Sequence, residues 1–538
     1  MPRTAAAVRA FLFLSCRTCF MNFRMVTLTF ITLFAALLLP PASSAQERMK
    51  SHHHYKLIEL GTFGGPLSTF QLFTNQKLNE QGIADGIANT STPNPYFAND
   101  NPLFLGNAPF PSPDPFVEHA FRWNGGTLTD LGTLSGGASS FPQWINALGE
   151  IVGFSDNGLL DPLVGVPQIR AVIWKKDGKI IDLGTLKGGF ESLAVANNNR
   201  GEVTGVSSND VPDSTGGSFF GTEIHAFLWR AGVIRDLGTL GDDPDSISVS
   251  INDSGQVTGF SFNISGPNAR QHPFLWDNGN MLDLGTLGGN FAQPVGLNSR
   301  GQVTGVSDPP GAEPGVCTFQ RICDPFLWDR GSLTDLGTFG GTFGEPNFIK
   351  DDGDVVGDAT FPDGTQHAAL WKGGKIKDLG TVDSGCSSTA WAINSNSQVV
   401  GISASCGASS PLQLQAFLWE NGSMVDLNTL VAPPSSGLQL VVAQAINDRG
   451  EIAGFGALPT GDARAFVLIP CDEEHLNVAG CDYHMVEAST LTSQSSNFID
   501  HQQGTATRLS LEAMRGFMQS SGLHSTPWFR RGSPRPQN

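Results

Sequence analysis

Hydrophobic residues in this chain come in short segments rich in Val, Ile, Phe, Trp and Thr, each bounded by Asn-Asp-x-Gly or Asp-Asn-Gly. Such boundaries carry the chemistry of tight antiparallel hairpins, so each segment is predicted to be a β-strand. In His225-Ala226-Phe227-Leu228-Trp229 both alternating sets are largely apolar, which suits a strand covered on both faces rather than wetted on one. Four segments recur in a fixed order. An Ile-Asn turn with glycine comes first (Ile251-Asn252-Asp253-Ser254-Gly255), then a Val-x-Gly-x-Ser segment (Val257 to Ser261). A His-Ala-Phe-Leu-Trp segment or a relative follows (His272 to Trp276), and Asp-Leu-Gly-Thr comes last (Asp283 to Thr286).

The Asp-Leu-Gly glycines stand at 132, 184, 238, 285, 337 and 380, which makes the repeat 43 to 54 residues long. That is the length of one four-stranded propeller blade. Degenerate copies at Glu59-Thr62 and Asp426-Thr429 extend the array. The turn motif recurs around Asn79, Asn146, Asn198, Asn252, Asn298, Asp351, Asn394 and Asn447, so an all-β propeller of eight blades is predicted, with seven and an irregular terminal unit as the alternative. The array begins with a lone fourth strand, Lys56 to Phe63, and ends with a third strand, Arg464 to Ile469, that has no fourth behind it. Pairing the two would complete one blade and remove the free edges of an open array.

The formal net charge is -18, a balance that repels phosphate backbones and anionic lipid and argues against nucleic acid as a partner. Residues 1–45 read as an export signal: Arg24 precedes the apolar run from Val26 to Leu39, and small residues lead to cleavage after Ala45. No membrane span is expected once this segment is removed, and the destination is extracytoplasmic, at the cell surface, in the periplasm or beyond. Residues 46–54, with His52-His53-His54, read as a disordered leader. The propeller occupies 55–470. Six cysteines remain after export and fall into three local pairs, Cys317 with Cys323, Cys386 with Cys406, and Cys471 with Cys481, which suit disulfides in an exported chain. The last pair would clamp an appendix over 471–486, and 487–538, rich in Ser, Thr and Gln, reads as a disordered low-complexity tail.

Residues present in every unit are best explained by building the unit. Trp229, Trp276, Trp328, Trp371 and Trp419 share one register position and are expected to pack between blades. His119, His225, His272 and His367 also share a position, filled elsewhere by Arg170, Asp324 and Arg464, and so form no metal cluster. The Asp before Leu-Gly-Thr is expected to accept hydrogen bonds at a turn. His-Ala-Phe-Leu-Trp at 225–229, His-Ala-Phe-Arg-Trp at 119–123, Asp-Leu-Gly-Thr-Leu-Gly-Gly at 283–289 and Ile-Asn-Asp-x-Gly at 446–450 resemble the HAF repeats of secreted bacterial proteins. The resemblance covers roughly 55–470 and implies an exported repeat protein with no established activity. Asn428 in place of the motif glycine, and Lys350-Asp351 in place of Ile-Asn, depart from the pattern and predict distorted blades.

With strands taken in chain order from the inside outward, the connections between second and third strands swell at 89–118, 156–170, 208–224 and 307–324. All these insertions decorate one face, where binding residues usually sit on a rigid scaffold. Tyr96, Phe97, Phe104, Phe110, Phe116, Phe219 and Phe220 lie in them and are the candidate ligand-binding residues, for a glycan or a protein. Asp242, Asp243 and Asp245, in a fourth-to-first connection on the same face, are candidate calcium ligands without a calcium-loop spacing. No other cofactor is implied. No once-only Asp/Glu/His constellation stands out of the repeat, and neither Gly-x-Ser-x-Gly nor His-Glu-x-x-His occurs. The chain therefore reads as a binding or structural scaffold, with a propeller hydrolase or lyase acting on extracellular polysaccharide as the alternative.

Overall fold

The structure, a computed structural model, describes residues 51–71, 76–97, 100–101, 114–216, 218, 220–266, 269–312, 322–405 and 413–487. Its regular elements are strands and three short 3-10 turns. The strands form consecutive antiparallel four-stranded meanders, the repeat unit of a β-propeller. Units 1 to 7 cover 64–130, 140–182, 192–236, 245–283, 292–335, 344–380 and 387–426. A further unit combines Gln439–Ile446, Ile452–Ala457 and Ala463–Pro470 with Tyr55–Glu59 from the start of the chain, which pairs antiparallel with Ala463–Pro470. Units 6 and 7 also share one parallel bridge, Gln366 to Ser387.

Each motif has a local reason. The first strand bulges at one register position in unit after unit, between Pro142 and Trp144, Ala194 and Ala196, Ser248 and Ser250, and Pro294 and Gly296. The Val-x-Gly glycine faces the strand beside that bulge. A Cβ on Gly259 would lie 2.1 Å from the Ile247 carbonyl oxygen, so only glycine fits. The Asp-Leu-Gly glycine has a positive φ, 78° at Gly238, and its carbonyl accepts the hydroxyl of Ser246 on the next unit at 2.7 Å. Ser246 Oγ in turn accepts the Ala226 N–H at 3.0 Å, so one serine ties neighbouring units at both ends. Ser140, Ser192 and Ser388 repeat the arrangement.

The core lies between units. Phe141, Phe154, Leu193, Val206, Ile247 and Phe260 form one cluster across units 2 to 4, with the Phe141 and Phe154 rings stacked at 5.4 Å. The tryptophans pack against the preceding unit, as their shared position implied. Arg235 lies 5.3 Å over Trp276, Lys377 lies 4.2 Å over Trp419, and Trp371 Nε1 donates to the Gly337 carbonyl at 3.0 Å.

Two expectations need correction. Ser51–His53 is no disordered leader: it pairs antiparallel with Met485–Glu487, and His52 is fully buried with Nδ1 2.8 Å from Glu420 Oε1. The Cys471–Cys481 disulfide, Cα atoms 5.4 Å apart, lies just before that returning strand. Lys350-Asp351 does not distort its hairpin, because the backbone bonds Lys350 N–H to Asp354 carbonyl (2.9 Å) and Gly353 N–H to Lys350 carbonyl (3.0 Å) need no particular side chain. Asn428 does reshape its turn, and it compensates. Leu440 takes the place of the tying serine, and Asn428 instead donates to the Leu440 carbonyl (2.9 Å) and accepts its N–H (2.8 Å). Cys323 and Cys386 are also disulfide-bonded, and their expected partners Cys317 and Cys406 lie outside the described residues.

Candidate functional site

The repeated polar residues are engaged with one another. His119 on the third strand of unit 1 places Nδ1 2.9 Å from Asp130 Oδ2 on the fourth, and Nε2 3.0 Å from the Ala138 carbonyl. His225 does the same with Asp236 and Pro244. His272 and His367 pair with Asp283 and Asp378. Two acceptors on one ring require both nitrogens to donate, which is the imidazolium form. Burial alone would lower the His119 pKa, but the Asp130 carboxylate and the Ala138 carbonyl outweigh it, and the net shift is upward. Burial likewise opposes ionisation of Asp130, and the histidine and the Gly132 N–H outweigh it downward. The other oxygen of the same carboxylate, Asp130 Oδ1, accepts the glycine N–H two residues on, at 2.7 Å from Gly132. The His of one motif and the Asp of the other thus form one clasp, a pairing that sequence reasoning missed. Its signal was their constant separation of eleven residues.

The turn asparagines have two tasks. Asn252 Oδ1 accepts the Ser254 and Gln256 N–H groups of its own turn, while Nδ2 donates to the Asn298 carbonyl of the next unit at 3.1 Å. The cross-unit bond repeats from Asn79 to Asn146, Asn146 to Asn198, Asn198 to Asn252, Asn298 to Lys350 and Asn394 to Asn447. Asn447 then donates to the Asn79 carbonyl at 3.1 Å. The chain of bonds has one gap, between units 6 and 7, where Lys350 carries no amide.

Two buried charged pairs occur once each. Lys77 and Asp85 are both fully buried, with Nζ 3.3 Å from Oδ2 and donating also to the Pro142 and Gln143 carbonyls of unit 2. Burial lowers the lysine and raises Asp85 to about 6, each moderated by the other. Glu345 and Asp358 face each other directly across strands of unit 6, where units 2 and 3 carry Phe141 with Phe154 and Leu193 with Val206. Both are buried, and burial pushes Asp358 to about 7 and Glu345 well above its usual range. Gln366 Nε2 donates to Asp358 Oδ2 at 2.5 Å. Their signal in the sequence was polarity at an apolar register position.

On the insertion face, the second and third strands of units 1 to 3 extend beyond the sheet and pair again at Pro93 with Phe116, Leu160 with Pro167 and Pro212 with Thr222. Phe97 is 46% exposed, and Tyr96 and Phe116 are half-buried. Phe104, Phe110 and Phe219 lie outside the described residues. Phe220 is 1% exposed, inside the core cluster with Ile224, Ile247 and Phe260, and so is not offered to a ligand; the apolar gap between units 3 and 4 takes it. Aliphatic residues that the sequence reading passed over are exposed there instead: Leu159, Leu160 and Leu163 of unit 2 and Val211 of unit 3. Asp161 shapes the unit 2 insertion by accepting the Leu163 and Val164 N–H groups. Beside it Glu191, pushed by burial to about 9, accepts the Ile169 N–H at 2.7 Å.

The candidate calcium ligands are turned to different partners. Asp243 accepts from Arg270 Nε (2.8 Å) and Ser261 Oγ (3.0 Å), Asp245 accepts the Ile224 N–H (2.9 Å), and Asp242 is exposed. Among the described residues no group of three or more His, Cys, Asp or Glu is arranged to hold a metal ion, and no helix is long and apolar enough to cross a membrane.

On the opposite face, where first and second strands turn, the turn of unit 1 and the first strands and turns of units 2 to 6 line a cavity of about 370 Å³. Trp144, Phe348, Asn197 and Ser250 line its wall, and Glu80, Asp253 and Asp351 stand at the turns.

No protein-family model and no curated relative matches the chain. Among solved structures it is similar to the β-propeller domain of the Trilobed protease from Pyrococcus furiosus, at 10% identity and TM-score 0.39, over 67% of this chain and 98% of that one. It is also similar to a puromycin-hydrolysing peptidase of Mycobacterium tuberculosis (13%, TM-score 0.38, 76% of this chain and 62% of that one). A third is dipeptidyl peptidase 4 of Porphyromonas gingivalis (8%, TM-score 0.42, 78% and 67%). These likenesses carry over no activity, substrate or partner.

Proposed function

We propose that this is an exported HAF-type propeller of eight blades closed into a ring, acting as a binding scaffold whose insertion face receives a protein partner. Closure is supported by the pairing of Tyr55–Glu59 with Ala463–Pro470 and by the bond from Asn447 to Asn79. The HAF assignment is supported by the clasp that makes its His and Asp a single structural device. The binding reading is carried by one observation. Phe97, Leu159, Leu160, Leu163 and Val211 are all exposed and all lie on the insertions of three consecutive units. Exposed aliphatic side chains collected on one face mark a protein surface better than a sugar platform.

A photo-crosslinking residue at position 163 or 97 in the producing cell tests this, with one at the exposed outer-strand Val233 as control. A discrete protein adduct from 163 and 97 but not from 233 supports the reading. Adducts equal at all three sites, or retention on cell-wall glycan that is lost when Leu159 and Leu163 become serine, overturn it in favour of non-specific contact or a glycan ligand. The Glu345–Asp358 pair, 3% and 1% exposed and outside the cavity lining, is not open to substrate and lends the hydrolase alternative no support.

A further inference from the structure

The insertions of units 2 and 3 are fastened to the units that follow them by titratable side chains. Five residues before the third-strand tryptophan stand Ile169, Ile224, Gln271 and Cys323 in units 2 to 5. In units 4 and 5 the N–H at this position donates to a backbone carbonyl leading into the next unit, Gln271 to Asn290 at 2.9 Å and Cys323 to Thr342 at 3.0 Å. In units 2 and 3 the acceptor is a carboxyl, Glu191 Oε2 at 2.7 Å from Ile169 and Asp245 Oδ1 at 2.9 Å from Ile224. Glu191 and Asp245 share one register position, directly before the tying Ser192 and Ser246, where units 5 and 6 carry Phe291 and Phe343. A carbonyl is the same acceptor at every pH, and a carboxyl is not.

Each of these carboxyls is buried and only half used. Glu191 and Asp245 are 0% exposed, and no donor reaches Glu191 Oε1 or Asp245 Oδ2. Each also faces an aspartate that organises the insertion above it. Asp161, 2% exposed, accepts the Leu163 and Val164 N–H groups with Oδ1 and leaves Oδ2 without a donor. Burial is the largest cause of the raised Glu191, Asp161 adds to it, and the Ile169 N–H and Arg170 oppose it. Asp213 accepts the Thr215, Gly216 and Ser218 N–H groups. Burial raises Asp245, Asp213 and Glu223 add to it, and the Ile224 N–H and His225 oppose it.

One proton between Glu191 Oε1 and Asp161 Oδ2 serves both bare oxygens, because a carboxyl donates where a carboxylate only accepts. Without it, two carboxylates confront each other where neither is solvated. On Asp245 the proton removes the charge that Asp213 and Glu223 repel. Beneath the unit 1 insertion, Glu118 takes the equivalent third-strand position with Oε1 lacking a donor, and it faces Asp114 and Asp100 of that insertion. The exposed Leu160 and Leu163 flank Asp161, and the exposed Val211 stands two residues before Asp213. The fastenings therefore lie directly under the apolar surface that faces a partner.

We propose that Glu191 and Asp245 form a proton-operated tether: protonated, they hold the insertions of units 2 and 3 against the following unit, and ionised, they release them, so that acidity controls partner binding on this face. The control of binding rests on the partner reading above, whereas the tether does not. Its direction follows from linkage. The closed insertion keeps a proton that the open one, its carboxyl in water, has given up above a pH of about 4, so opening becomes about tenfold easier per pH unit until the closed-state value is reached. That limit lies at about 7 for Asp245 and about 9 for Glu191.

Hydrogen exchange on the intact chain reads the tether. Gln271 and Cys323 are internal references, because carbonyls hold their N–H groups at the same register and the pH dependence of intrinsic exchange cancels in the ratio. Protection of Ile169 and Ile224 relative to them is expected to fall tenfold or more between about pH 5 and 7, then to level off at Ile224 while still falling at Ile169. Glu191→Gln, whose amide accepts the Ile169 N–H and donates to Asp161 at every pH, should make the Ile169 ratio independent of pH and leave Ile224 as in the parent chain. Asp245→Asn repeats the test at Ile224. Photo-crosslinking at position 163, in cells suspended at the same pH values, should give an adduct yield that falls with pH in the parent chain and stays level in Glu191→Gln. Ratios constant with pH in the parent chain, or an unaltered pH dependence in both variants, overturn the tether. A yield that changes equally with pH in the parent chain and Glu191→Gln overturns the control of binding. Absence of any discrete adduct beside the expected exchange pattern defeats the partner reading, and the control of binding with it, but not the tether.

Discussion

Replacing Lys350 by asparagine should supply the missing link in the chain of amide bonds between units 6 and 7. In unit 4 the corresponding Asn252 accepts two N–H groups of its own turn and donates to the Asn298 carbonyl. At position 350 an asparagine would gain a donor bond to the Asn394 carbonyl and an acceptor bond from the residue 352 N–H. A third bond would merely exchange partners, because Asp352 Oδ1 already accepts the Asp354 N–H at 3.1 Å. Two new bonds contribute about 2 kcal/mol. The lost Lys350–Asp352 ion pair, with the Asp352 side chain 47% exposed, subtracts about 0.5 kcal/mol. The expected gain is ~1.5 kcal/mol. A domain of roughly 400 residues unfolds with ~0.9 kcal/mol/K of entropy, so the midpoint should rise by ~2 °C. Calorimetry reads the midpoint, and hydrogen exchange should show slower opening of 350–354 and 394–398. Lys350→Ala removes the same ion pair and adds no bond. If Lys350→Asn proves no more stable than Lys350→Ala, the amide bonds do not hold neighbouring units together and the support they lend to ring closure is withdrawn.

Stability should fall as pH rises from 5 to 8, read as the melting midpoint. The raised His119 and His225 contribute fully below the ordinary histidine value of about 6.5 and lose that contribution as pH passes their folded values, while the lowered Asp130 and Asp236 contribute above the ordinary Asp value of about 3.9 and lose it only in acid. Asp245 and Asp358, both held near 7 by burial, act in the same direction, because the native state keeps a proton that the unfolded chain has released; a midpoint flat or rising over this range contradicts the assignment. The double variant Glu345→Leu, Asp358→Val, which copies the Leu193–Val206 pair, should stabilise by about 1–4 kcal/mol in urea titration and flatten part of that pH slope, and destabilisation would mean the pair is held by bonds not seen here. Asp85→Ala should cost about 3–5 kcal/mol, because it strands Lys77 as a buried charge, and a loss under 1 kcal/mol would show that water reaches it. Removing both Cys471 and Cys481 should speed hydrogen exchange over 51–53 and 485–487 while leaving units 2 to 6 unchanged, and equal acceleration throughout would contradict the local role.

Much of the fold was legible because each unit repeats the same local physics. The turn asparagine, the Val-x-Gly glycine and the Asp-Leu-Gly glycine each sit where backbone geometry admits few alternatives. The departures were harder to weigh. Lys350 looked disruptive because the side chain was taken to shape a turn that backbone bonds hold by themselves. Phe220 looked like a ligand platform because insertions favour exposure, yet it fills a gap that opens only when units 3 and 4 stack. The Glu345–Asp358 pair was visible as polar residues at apolar register positions, but repeats with high consensus draw attention to what recurs rather than to what breaks the pattern.

By itself the sequence determined the strand order, the length of the unit, and the structural employment of its repeated His, Asp, Asn and Trp residues, because these depend on hairpin chemistry and on contacts within a unit or with the next one. Only the tertiary structure decided which irregular residues meet. The opening lined by Trp144 and Phe348, the burial of Phe220 between units 3 and 4, and the exposure of Phe97, Leu163 and Val211 on the insertions arise from how whole units pack against one another. That placement is set by packing between units distant in sequence, which no local pattern encodes.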